Sequence, residues 1–114
     1  MRSEFDEKWL SQLRKGFLEL CVLVLLEQRK SSYGFELSQL LEQANLGITE
    51  GTLYPLLNRM HKNGWLDSSW ETPTEKGHPR RIYKLSKTGR KQLPAMLEAY
   101  LNHHSSLLTL KEMS

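Results

Sequence analysis

Cysteine is nearly absent from this chain of 114 residues: Cys21 stands alone. No disulfide can form within the chain, and a small buried thiol is the reading its apolar surroundings favour. Long hydrophobic runs are missing too. The longest, 17–26, has ten residues and includes Glu19. A membrane span needs about 20 apolar residues, so this run reads as a buried helix and no membrane partner is expected. The first eight residues, MRSEFDEK, are charged and carry no apolar stretch of the secretory kind, which points to a cytoplasmic protein. Paired carboxylates, a glycine-rich phosphate loop and a nucleophile beside a base are all lacking. His103 and His104 are adjacent, and adjacent positions do not face one site on a helix. Regular metal-ligand spacing is lacking as well. An enzyme, a metal centre and a cofactor site are therefore not expected.

What is present suits one soluble domain: 39% of residues are hydrophobic and 25% charged. The net charge of +3 is unevenly spread. Residues 1–50 hold six basic and eight acidic side chains, whereas residues 58–91 hold nine basic and three acidic. Positive charge concentrated in one third of the chain suggests a polyanion partner, although a solvated basic face would look the same.

Periodicity predicts a first helix over about 6–27, with Trp9, Leu13, Phe17, Leu20 and Val24 along one stripe. From Phe17 on nearly every face is apolar, which calls for cover on all sides and so for a second subunit. Ser31 and Ser32 offer N-caps for a second helix over about 33–44, with Leu37, Leu40, Leu41 and Ala44 inward and Asn45 and Gly47 as stops. Thr49 can cap a third helix over about 50–63, ended by Gly64. Residues 65–71 and 80–85 read as the strands of a hairpin around a loop with two prolines and a glycine. Ser86 then caps a last helix running toward Leu110, with Pro94 expected to kink it near Arg90. The fold class is mainly α with a small β-hairpin.

The third helix is built from poor helix formers, GITEGTLYPLL over 47–57. Leu53, Leu56, Leu57 and Met60 share its inward face. Gly51, Pro55, Asn58 and Lys62 lie opposite, flanked by Thr52, Tyr54 and Arg59. Pro55 would clash with the carbonyl of residue 51, and Gly51 leaves that backbone free to adjust. The result is a slim N-terminal end followed by an amide and cations. A major groove admits one helix, helix N-termini favour phosphate, and Asn58 can bond an adenine edge in bidentate fashion. A short glycine-containing turn joins the second and third helices, as in a helix-turn-helix. The wing that follows carries Arg80 and Arg81 where a minor groove or phosphates could be reached.

These residues resemble the PadR-like transcriptional regulators, winged helix-turn-helix repressors of bacteria. The resemblance rests on SYGFELSQLL (32–41), ITEGTLYPLLNRMHKNGWL (48–66), SSWE (68–71) and GHPRRIYKLSKTGRKQL (77–93), and covers about 16–93. The hairpin tip reads Gly77-His78-Pro79-Arg80, with His78 where the family carries an arginine. The resemblance implies a winged-helix DNA-binding domain over 1–85 and a dimerisation helix over 86–114. It extends the DNA-facing set to Ser32, Tyr33, Glu50, Lys76 and His78. It further implies a homodimer on a palindromic operator, repressing stress, phenolic-acid or multidrug-efflux genes until an effector releases it. Independently of the resemblance, Leu93, Leu97, Tyr100, His104 and Leu107 recur at near-heptad spacing; with Leu101, Leu108, Trp9, Leu13 and Phe17 they form the expected dimer interface. By resemblance, Tyr100 stands where compact members stack a planar aromatic effector, with Leu20, Leu97 and His104 lining the same cavity; the alternative is that Tyr100 simply packs the dimer seam. A winged-helix protein-interaction module and a small-molecule-binding dimer without a direct DNA role are the rival readings.

Overall fold

The computed structural model describes residues 4–72 and 77–113. The elements are α1 (Glu4–Arg29), β1 (Ser32–Tyr33), α2 (Gly34–Gln43), α3 (Glu50–Lys62), β2 (Leu66–Glu71), β3 (Arg80–Leu85) and α4 (Lys87–Glu112). Three antiparallel strands form one sheet in the order β1-β3-β2. The strand β1, two residues pairing Ser32 with Tyr83 and Tyr33 with Ile82, was not expected from sequence. Its consequence is that Ser32 is only 4% exposed. Ser32 neither caps α2 nor offers a surface contact; Tyr33 is the N-cap, and its backbone N–H donates to Glu36 Oε1 at 2.9 Å, the carboxylate half of a capping box.

The core follows the expected periodicity on α3, where Leu53, Leu56, Leu57 and Met60 are all buried. They meet Leu37 and Leu41 of α2, Leu18, Val22, Leu23 and Leu26 of α1, and Leu66, Tyr83 and Leu85 of the sheet. One expectation fails here. Leu93, placed in the dimer seam, is 2% exposed within the single chain and belongs to this core. The α1 stripe also divides: Leu20 is buried, while Trp9 and Leu13 stay 55% and 54% exposed, because the core begins only at Leu18. On α2, Leu40 is half-buried and Ala44 exposed.

Backbone chemistry sets the boundaries. Asn45 takes a left-handed φ of 62° and ends α2 as expected. Gly64, at φ 81°, ends α3; Trp65 N–H then reaches back to the carbonyl of Met60 at 3.0 Å, closing the last turn. Lys30, also left-handed at φ 69°, ends α1. Ser86 caps α4 by accepting from Gly89 N–H at 2.9 Å. α3 and α4 run on through Pro55 and Pro94. Among the described residues no helix is long and apolar enough to cross a membrane, and no three metal-ligating side chains cluster.

Candidate nucleic-acid interface

α3 presents Gly51, Pro55, Asn58 and Lys62 to solvent, and Glu50, Thr52 and Tyr54 are exposed as well. The helix leans on α2 through Tyr54: a methyl group added at Gly34 would lie 2.8 Å from its ring, so this glycine permits the close helix crossing. Thr49 is the N-cap of α3 by position, with its hydroxyl 3.2 Å from that of Thr52.

The wing is tied to α3. Along β2 and β3 the partners Leu66 and Leu85, Ser68 and Tyr83, and Trp70 and Arg81 stand opposite one another. Alternation puts these six side chains on one face, buried at the base and open toward the tip. At that open end Arg81 donates from Nη1 to Asn58 Oδ1 at 3.3 Å and from Nη2 to Ser68 Oγ at 3.0 Å. Its guanidinium also lies 5.3 Å from the Tyr83 ring centre and 6.0 Å from that of Trp70. Burial pushes the Tyr83 phenol above its usual range, and the neighbouring Arg81 charge pulls the other way. Asn58, expected to bond adenine through both ends of its amide, has its carbonyl oxygen engaged with the wing. Arg81, expected to reach a minor groove or phosphates, is half-buried and braces the wing against the helix.

Other residues of the expected DNA-facing set are also partnered. Arg59 Nε sits 3.5 Å from Glu19 Oε2, so this cation turns toward α1 rather than straight outward. Arg80 stacks over the Tyr33 ring at 4.2 Å, and Tyr33 Oη donates to Glu71 Oε1 at 2.5 Å. That hydrogen bond is the main reason the Tyr33 phenol is raised above its ordinary pKa. The trio ties β1 to both wing strands. His78 is exposed in the loop before β3. Lys76 lies outside the described residues. Trp70, 68% exposed beside Arg81, was overlooked in sequence; its period-two relation to Leu66 and Ser68 was the available signal.

A second surface is apolar. Phe17, Leu20, Cys21 and Val24 of α1, Leu40 of α2, and Leu97, Tyr100 and Leu101 of α4 line a groove of about 260 Å³. It brings together Leu20, Leu97 and Tyr100 of the expected effector set. His104 lies outside the lining and stacks on Tyr100 at 6.2 Å, while Phe17 meets Tyr100 at 5.2 Å. Burial pushes the Cys21 thiol above its ordinary pKa, so it favours the unreactive thiol form. Leu97, Leu101, Leu107 and Leu108 are all exposed in the single chain.

A helix-turn-helix braced against a three-stranded wing defines a winged-helix protein. Residues 22–95 match the model of the transcriptional regulator PadR-like family, and the chain belongs to that family. A PadR-like transcription factor structure from Bacteroides fragilis is similar at 34% identity and a TM-score of 0.76, covering 90% of this chain and 98% of that one. A PadR family regulator from Eggerthella lenta is 29% identical with a TM-score of 0.81, covering 95% and 93%. A Streptococcus transcriptional regulator is 34% identical with a TM-score of 0.76, covering 88% and 97%. No match was found among curated proteins.

Proposed function

We propose that this transcriptional regulator is a cytoplasmic, sequence-specific DNA-binding repressor that acts as a homodimer on a palindromic operator. One observation carries the reading: an uncovered stripe on α3 stands beside a wing that Arg81 fastens to it, so helix and wing form one surface. The stripe is small at Gly51 and Pro55 and becomes amide and cationic at Asn58 and Lys62. A helix of that shape suits a major groove. Residues 1–85 serve as the DNA-binding part and 86–114 as the dimerisation helix. The exposed leucines of α4, with Trp9 and Leu13 of α1, form an apolar surface of the kind that a second copy covers.

Planar aromatic compounds are the effector class that suits the groove beside Tyr100. Its walls are almost wholly apolar and include the paired rings of Phe17 and Tyr100. Such compounds should quench the emission of the aromatic residues, and Tyr100→Ala should bind them more weakly. Equal binding by that variant would remove the assignment.

Selection of bound fragments from a random DNA pool, followed by anisotropy titration, tests the DNA reading. A shared palindromic motif is expected, with affinity falling steeply as salt rises. Binding without a motif, or binding indifferent to salt, would contradict it.

A further inference from the structure

We infer that Arg81 decides which base Asn58 reads, directing it to guanine rather than adenine; this rests on α3 being the helix that enters the groove. A guanidinium carries only donors. The side-chain atom of Asn58 that faces Arg81 Nη1 at 3.3 Å is therefore the carbonyl oxygen, and the amide nitrogen with its two hydrogens is the end left free. Arg81 is itself held in a slot. Nη2 donates to Ser68, and the rings of Tyr83 and Trp70 flank the group. Its position on β3 is set by the ladder, which pairs it with Trp70. The arginine is thus the fixed member of the pair and Asn58, exposed on α3, the member that adapts.

In the major groove guanine shows two neighbouring acceptors, N7 and O6, whereas adenine shows the N7 acceptor beside the N6 donor. A free amide nitrogen with two hydrogens matches guanine. Adenine needs the carbonyl alongside the nitrogen, and that carbonyl would have to leave or share Arg81. Arg81 is on this account a positioning residue that acts on the base through Asn58.

The test starts from the motif selected by the unaltered protein and locates the one position whose preference Asn58→Ala abolishes. At that position the unaltered protein should favour guanine over adenine by about tenfold. Arg81→Met keeps an apolar stem and removes every donor, which frees the Asn58 carbonyl. It should move the preference toward adenine there and leave the ranking of bases elsewhere intact. Arg81→Lys, which retains a donor, should keep the guanine preference. Replacing that guanine with 7-deazaguanine should weaken the unaltered protein several-fold and leave Asn58→Ala unaffected, an arm that needs no Arg81 variant to fold. Adenine preferred by the unaltered protein, or Arg81→Met weakening all four bases alike, would overturn the inference and leave the DNA reading standing. Failure to select any motif would overturn both.

Discussion

At its first turn α4 is locked to the rest of the chain. Ser86 Oγ donates to the Gly64 carbonyl, Ser86 N–H donates to the Trp65 carbonyl at 3.0 Å, and Leu93 is buried in the core. From Leu97 onward every residue of the same helix is exposed, yet that stretch carries Leu97, Tyr100, Leu101, Leu107, Leu108 and Leu110. Helix and heptad-like spacing continue through both parts. What differs is what each part rests on: the base packs into the core of its own chain, whereas Leu97 and Tyr100 only border α1 and the leucines beyond them offer an apolar face to solvent. One helix thus has two kinds of surface, one spent on the fold of the chain and one left for the proposed second copy.

The sharpest way to break that contrast is at the base. A methyl group at Gly89 would lie 2.1 Å from the Trp65 carbonyl oxygen, a backbone atom that cannot step aside. Gly89→Ala should cost about 3 kcal/mol or more in urea unfolding. An unchanged midpoint would mean that the base of α4 is not seated as described. Next in size, the double substitution Leu101→Glu and Leu108→Glu should leave the helical signal of the single chain intact. It should weaken self-association more than about a hundredfold in sedimentation, since two buried leucines contribute about 3 kcal/mol or more. Loss of folding instead would merge the two regions of α4 into one.

The residues proposed to face DNA lie apart from the outer stretch of α4, so their removal should spare self-association. Asn58→Ala should weaken the selected operator about tenfold while changing random DNA little. Lys62→Ala should weaken both alike, by a smaller factor, and reduce the salt slope by about one. Arg59→Ala should have the least effect of the three, because Glu19 already holds that guanidinium. An Arg59 effect exceeding that of Lys62 would show that the ion pair opens on DNA.

Much of this was legible in sequence where the determinants are local. The two faces of α3 follow from 3.6-residue spacing, Gly64 and Asn45 from the need for left-handed backbone, the Ser86 cap from a short hydroxyl side chain before a helix. The hairpin was legible in its turn residues, and β3 runs over the expected 80–85. What escaped depends on contacts between distant segments. The strand at Ser32 exists only because β3 passes beside it, fifty residues on. The Arg81–Asn58 and Arg59–Glu19 contacts join different elements, and no spacing rule announces them. Leu93 fits both a heptad seam and a core, and only the closeness of α4 to Trp65, between α3 and β2, decides for the core.

Hydroxyl-radical footprinting on the selected operator would show whether two copies of α3 meet one duplex. Two protected half-sites are expected about one turn of the duplex apart, roughly 34 Å, related by a dyad. The Leu101→Glu, Leu108→Glu protein should lose both together. A single protected half-site of undiminished affinity, or no protection at all, would contradict that arrangement.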